Sequence, residues 1–357
     1  MTWIATIDHG CLVGWWDAAY DGVFHSYPHT MQLHKLPIAA ALLAAAMFQF
    51  PLAYAQPTVD VPQHVMPQQA GGYSVRVGAV KVTSLTDGTV ALDAHQLLQG
   101  AEPQDIDRLL MRNFERNPIE ASINVFLIEL PGHRVLVDTG AGQLFGPQAG
   151  GRLTESLAAM GLRPQDVTDV LLTHAHSDHA GGLIQDGRRV FPNAVVHVGQ
   201  PDVDFFFDDN NQKKTGYEQQ YFDIARRTLK PYLDAGKVAT FSGTQQVLPG
   251  ITATIHPGHT PGSAFYRLES DGERIVFVGD IIHVPAVQFA RPRVTIAYDQ
   301  DPSQAAAVRQ SQFAAFARER TLLAAPHLPF PGIGHVRAGS EGGYDWVPVT
   351  YTNRQEQ

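Results

Sequence analysis

From residue 73 nearly to the end of the chain, apolar positions recur at regular spacing. Over 73–92 apolar and polar residues alternate, the period of a half-buried strand, and Asp87-Gly88 inside the run predicts a hairpin turn there. Helical spacing over 101–116 stops before Pro118. Strands are predicted at 123–130 and 134–137, on either side of Pro131-Gly132, and a short helix at 154–160 is stopped by Gly161. The apolar run 167–172 reads as a buried strand, and 194–198 as another. Helical patterns cover 217–233 and, rich in alanine, 303–320. Further strands are expected at 238–241, 251–256, 264–268, 275–278, 322–325 and 346–351. Segment 202–209 carries three consecutive phenylalanines. There is no short internal repeat. The strands fall into two groups with helices between and after them, which predicts two sheets packed face to face with helices outside, an α+β fold in one domain.

Before residue 73 the pattern changes. Residues 31–55 read as a secretory signal peptide: His34 and Lys35 start it, 36–50 is apolar, and Ala53-Tyr54-Ala55 is a small-x-small cleavage site. Pro37, Gln49 and Pro51 interrupt the apolar stretch, which argues against a membrane span. Residues 1–30 show no periodicity and read as a non-native upstream extension, with translation expected to start at Met31. Segment 56–72, rich in Pro, Gln and Gly, reads as a flexible arm, leaving 73–357 as the folded domain. The product is therefore expected to be exported, periplasmic or secreted, with no stable membrane association after signal cleavage.

Composition narrows the function. With 357 residues and 44% hydrophobic content, the chain can bury a large core, and a net charge of −9 argues against nucleic acid as a partner. The single cysteine, Cys11, excludes an intrachain disulfide.

The richest chemistry is Thr173-His174-Ala175-His176-Ser177-Asp178-His179-Ala180-Gly181-Gly182, directly after the predicted strand 167–172. Imidazole and carboxylate without thiolate suit zinc, iron or manganese, and argue against a structural zinc finger. In an extended loop His174 and His176 share a face, while Asp178 and His179 follow where the chain turns, so one loop can serve two cations. Three later strand ends each offer a ligand: His259 between tight turns, Asp280 as a carboxylate able to bridge two metals, and His327. His335 competes for the role of His327.

This set, with Asp138, the His174–His179 cluster, His259, Asp280 and His327 in order, resembles the five motifs of the metallo-β-lactamase superfamily. The resemblance implies a four-layer αβ/βα sandwich. Within the superfamily the chain resembles bacterial methyl parathion hydrolase and its lactonase relatives. The segments that carry this are Leu85-Thr86-Asp87-Gly88-Thr89-Val90-Ala91-Leu92, Val137-Asp138-Thr139-Gly140-Ala141, Leu144-Phe145-Gly146-Pro147, Phe191-Pro192-Asn193-Ala194-Val195-Val196 and Phe330-Pro331-Gly332-Ile333-Gly334-His335.

Carried over residue by residue, the resemblance implies one metal at His174, His176 and His259, a second at Asp178, His179 and His327, and Asp280 between them. The cofactor it implies is two divalent ions, usually zinc, with manganese, cobalt or iron also accepted by these ligands. Two such ions lower the pKa of a shared water that attacks the substrate. Asp178 and Asp280 are the catalytic candidates, Asp178 through proton transfer, and Asp138 the carboxylate expected to orient the ligand loop. Phe145, Phe206 and Phe222 are expected to line the substrate pocket, with Phe205, Phe207 and Tyr221 as substitutes. An aromatic wall suits flat, neutral leaving groups, hence small-molecule lactones, aryl esters and organophosphate triesters. The alternatives are an acyl-homoserine lactonase and a non-hydrolytic di-metal protein. The resemblance also implies a homodimer.

Overall fold

The computed structural model describes residues 71–339 and 342–352. The expected extension 1–30, signal 31–55 and nearly all of the arm 56–72 lie outside the described residues. Two seven-stranded sheets dominate. The first contains β1 (Gly72–Val77), β2 (Val80–Leu92), β3 (Ile119–Leu130), β4 (His133–Val137), β5 (Asp169–Leu171), β6 (Val195–Gly199) and β7 (Val238–Phe241). The second contains β8 (Thr244–Leu248), β9 (Ile251–Ile255), β10 (Ala264–Ser270), β11 (Glu273–Phe277), β12 (Leu322–Ala324), β13 (Ile333–Ala338) and β14 (Tyr344–Pro348). Spatial order follows chain order in both. The pairs β4–β5, β5–β6, β6–β7 and β11–β12 are parallel, and the other neighbours antiparallel. The larger helices are α1 (Pro103–Arg112), α2 (Leu153–Ala159), α3 (Ser177–Ala180), α4 (Gln200–Phe207), α5 (Asp209–Thr215), α6 (Gln219–Leu233) and α7 (Pro302–Glu319).

Strand β3 shows how the layers form. Alternate side chains point to opposite faces, so Phe126 and Ile128 meet the second sheet while Val125 and Leu127 meet the helices outside. Between the sheets, Phe126 packs on Phe277 with ring centroids 5.4 Å apart, and Phe241 on Tyr266 at 5.9 Å. Outside the first sheet, Leu153 and Leu157 of α2 and Phe222, Ala225 and Leu229 of α6 close the core. Outside the second, Phe313 and Phe316 of α7 cover Phe265, Val276 and Leu323. This is the expected four-layer αβ/βα sandwich. Each fully buried Phe or Leu in these layers is worth about 1.5–3 kcal/mol. Among the described residues no helix is long and apolar enough to cross a membrane.

The predicted hairpin over 73–92 is present, but Asp87-Gly88 is not its turn. Strands β1 and β2 join at Gly78-Ala79, where Gly78 adopts φ +56°. Asp87 and Gly88 instead sit at a bulge where β2 slips its register against β3. The reason is the Asp87 carboxylate, which turns inward and accepts the backbone N–H groups of Ala141, Gly151 and Leu153. Helix α5 and strands β8 and β13 are further elements, polar or glycine-bearing and without a clear period in the sequence.

Candidate metal centre

The ligand candidates lie where strands end. The chain leaves β4 into Asp138, β5 into the His174–His179 loop, β9 into His259, β11 into Asp280 and β12 into His327. Short strands that stop at one end of the sandwich put these loops together.

The His174–His179 loop is fixed by backbone capture. Asp138, itself in the left-handed region at φ 61°, accepts the Thr173 N–H and hydroxyl and lies 2.9 Å from His179 Nδ1. Thr139 donates its N–H and its hydroxyl to the His179 carbonyl. Gly182 packs so closely that an added Cβ would strike the Thr139 carbonyl. Asp202, fully buried in α4, accepts the Ala175 N–H at 3.0 Å and the Gly262 N–H at 2.6 Å. It thus ties the residue between His174 and His176 to the turn that follows His259.

Two groups of side chains result: His174, His176, His259 and Asp280, and Asp178, His179, Asp280 and His327. Within each group the ligand atoms lie within 4.8 Å of one another. Asp280 belongs to both. Its Oδ2 is 3.2 Å from His259 Nε2 and 3.6 Å from His174 Nε2. Its Oδ1 is 3.1 Å from both His179 Nε2 and His327 Nε2. Asp178 Oδ2 is 3.4 Å from His327 Nε2, and its side chain is 16% exposed, the most open of the seven. His335 stands apart on β13, bonded to the Thr321 carbonyl.

The outer nitrogens show what the inner ones are for. His259 Nδ1 is held by Asp299 at 2.8 Å, His327 Nδ1 by the Ser122 carbonyl at 2.9 Å, and His176 Nε2 by the Tyr217 hydroxyl at 2.7 Å. Four inner atoms are buried without a hydrogen-bond partner: His174 Nε2, His179 Nε2, His327 Nε2 and Asp280 Oδ1. Such groups cost about 1–3 kcal/mol each when left unpaired. Four that converge on two points, from imidazole and carboxylate, fit two divalent cations.

Burial holds His174 and His176 well below the ordinary histidine range, in the neutral form a metal requires. Burial opposes protonation of His259 and His179 too. Yet Asp280 and Asp299 carry His259 up to about 9, and Asp280, Asp178 and Asp138 raise His179. The carboxylates thus call for positive charge at the place where cations would sit.

The pocket aromatics differ from expectation. Phe206 and Phe222 are fully buried. Phe222 packs on Phe205 and Phe206 in the core, and Phe206 backs the His176 ring at 6.2 Å. Phe145 is half-buried in the loop after Asp138. Among the described residues, the rings beside the histidines on the more open side are Tyr217, Tyr221 and Tyr298. The physical reason is amphipathicity: α6 turns Phe222 into the core and leaves Tyr221 half-exposed one residue earlier. Sequence reasoning also missed His283. It is buried three residues after Asp280, with Nε2 at 2.9 Å from Asp280 Oδ2 and its ring stacked on His327 at 5.2 Å. Its spacing from Asp280 was the available signal. For Asp202, Tyr217 and Asp299 the sequence carries none.

Residues 119–341 match the family model of the Metallo-beta-lactamase superfamily. The chain belongs to this superfamily. Among solved structures, this metallo-beta-lactamase-fold chain is similar to the hydrolase AbOPH, at 35% identity and a TM-score of 0.76, covering 80% of this chain and all of that one. It is also similar to AidC, a dizinc quorum-quenching lactonase, at 26% identity and a TM-score of 0.74 with the same coverage. Among curated proteins it is 27% identical over 196 residues to the atrochrysone carboxyl ACP thioesterase of Passalora fulva, 52% of this chain and 48% of that protein. It thus spans about half the length of that relative. The chain joins superfamily membership to two His/Asp groups able to bind metal.

Proposed function

We propose that this chain is an exported, zinc-dependent binuclear hydrolase of lactones and aryl esters, similar to methyl parathion hydrolase, with organophosphate triesters as further substrates. One observation carries the reading: Asp280 offers one oxygen to each of two histidine groups, and four of the atoms that converge there, His174 Nε2, His179 Nε2, His327 Nε2 and Asp280 Oδ1, are buried without a hydrogen-bond partner. His174, His176 and His259 would hold one cation and Asp178, His179 and His327 the other, with Asp280 shared. When bound, the pair supplies Lewis-acid polarisation of the carbonyl or phosphoryl oxygen and a water of lowered pKa.

The chain's own residues do the rest. Asp280 and Asp299 orient His259, and Asp138 orients His179. Asp178, the most open ligand, is the group through which a proton reaches the departing alkoxide or phenoxide. Burial raises the Tyr221 and Tyr298 phenols, so both keep their protons and can donate to a substrate oxygen. The Tyr217–Tyr221 stack, 4.5 Å between centroids, offers a flat face to an aryl leaving group. Similarity to the hydrolase AbOPH supports hydrolysis, and similarity to AidC supports zinc and favours acyl-homoserine lactones as a second reading. A homodimer is part of the proposal and is read by light scattering.

The test assays the purified protein on dihydrocoumarin, paraoxon and an acyl-homoserine lactone, before and after metal removal. Turnover of the first two that vanishes with the metal and returns with zinc is expected. Undiminished turnover by fully stripped protein refutes the metallohydrolase; cleavage of the acyl-homoserine lactone alone refutes the aryl preference.

A further inference from the structure

Four of the five ligand histidines in these two groups turn Nε2 inward; His176 is reversed. Its Nδ1 faces inward, 3.0 Å from His259 Nε2, and its Nε2 faces outward to the Tyr217 hydroxyl at 2.7 Å. The direction of that outer hydrogen bond is set by a third group. Tyr217 has one hydroxyl proton, and it is donated to the Tyr298 carbonyl at 2.8 Å. The Tyr217 oxygen therefore accepts from His176, so the His176 proton sits on Nε2 and the lone pair on Nδ1. That is the tautomer in which Nδ1 can bind a cation.

The origin of the partner also differs. His179 and His327 are held by Asp138 at the end of β4 and by a β3 carbonyl, both part of the first sheet. His259 is held by Asp299, which is pinned in turn by the Ile296 N–H. Tyr217 instead lies in the short turn between α5 and α6, just after Gly216 at φ 69°, with its ring stacked on Tyr221. It is held there by the Tyr298 carbonyl, that stack, the Phe205 and Phe222 rings at 6.3 and 6.4 Å, and the His176 ring, 6.1 Å away at 26°.

We propose that Tyr217 is a positioning residue that fixes the His176 tautomer, so that retention of the cation at His174, His176 and His259 depends on the α5–α6 turn, while the cation at Asp178, His179 and His327 does not. This rests on the binuclear reading above. The phenylalanine variant removes one oxygen and keeps the ring stack, and loss of such an outer partner lowers metal affinity by roughly 10–100-fold.

The test titrates metal-free protein with Co2+, following the d–d absorption and competition with a chromophoric chelator, in the wild type, Tyr217→Phe and Tyr221→Phe. The wild type takes up two equivalents. Tyr217→Phe is expected to bind one as the wild type does and the other roughly 10–100-fold more weakly, with the spectrum of only one site lost. Tyr221→Phe keeps the ring that lies 5.1 Å from His176 and removes a hydroxyl that is not the one bonded to His176 Nε2, so it is expected to bind both as the wild type does. Equal weakening of both equivalents in Tyr217→Phe, no weakening of either, or the same selective loss in Tyr221→Phe overturns the proposal alone. Fewer than two equivalents in the wild type overturns the binuclear reading, and this inference with it.

Discussion

Asp202→Asn separates positioning from stability. The Asp202 carboxylate is fully buried and accepts the Ala175 and Gly262 N–H groups and the Thr260 hydroxyl. Burial nevertheless wins over these bonds and raises the group from 3.8 to about 6. A carboxyl whose folded pKa lies above its unfolded one stabilises the fold fully below the unfolded value, and this is lost as pH rises through the folded one. The window is therefore from 3.8 to about 6, and the loss across it is roughly 3 kcal/mol at 1.36 kcal/mol per pH unit. Asparagine does not titrate. In urea unfolding of the metal-free proteins, the variant should gain roughly 2.4 kcal/mol on the wild type between pH 4 and pH 7.5, since part of the loss has already occurred at pH 4. A stability gap that stays constant with pH, or moves the other way, refutes the reasoning. An amide can accept only with its oxygen and must turn its NH2 toward the second N–H. One loop loses its grip, and zinc binding should weaken even where the fold has become more stable. The costly anion is thus explained by the two ligand loops it holds at once.

Three further changes probe other supports. Asp299→Asn removes the charge behind His259 and should weaken zinc binding by roughly 10–100-fold in chelator competition; unchanged affinity would remove Asp299 from the supporting set. Gly182→Ala drives a Cβ into the Thr139 carbonyl, which backbone cannot easily relieve, and should cost about 1–3 kcal/mol, read as a lower Tm. In Asp169, partial burial is outweighed by hydrogen bonds from His197, His133 and Thr168, which hold the carboxyl at about 2. A depressed carboxyl stabilises above its unfolded value near 3.8 and loses this as pH falls toward 2. Asp169→Asn should therefore destabilise by about 1 kcal/mol at neutral pH, after discounting for solvent screening, with the gap closing below pH 3; a gap that persists at pH 2 would falsify the assignment.

What was legible in the sequence is what depends on local order. The His-x-His-x-Asp-His run declares itself because its ligands are consecutive, and the strand before it because its apolar residues are. His259, Asp280 and His327 were legible only as strand ends in the right order. The residues that hold these ligands were not legible, because each acts across the fold: Asp202 on Ala175, Asp299 on His259, Tyr217 on His176. An aspartate or tyrosine in a polar segment looks alike whether it faces water or a buried ring. Asp87-Gly88 misled for a related reason. The pair suits a hairpin turn locally, but three distant N–H groups draw the Asp87 side chain inward and make it a bulge. Phe206 and Phe222 were placed at the pocket by resemblance, whereas helix phase buries them and turns Tyr221 outward.

Each metal group draws on both sheets. The loop after β5 in the first sheet supplies His174, His176, Asp178 and His179, and the ends of β9, β11 and β12 in the second supply His259, Asp280 and His327. Neither group can assemble until the sheets dock, so both depend on the apolar interface at Phe126, Phe277 and Tyr266. The folded, metal-free chain then holds several inward nitrogens and a carboxylate oxygen without partners, at about 1–3 kcal/mol each. That local cost is offset by the apolar layers on both faces of each sheet. A site destabilised in this way has its inward atoms already in place before a cation arrives. Cation binding there would relieve an existing penalty, which would add to the affinity of the site.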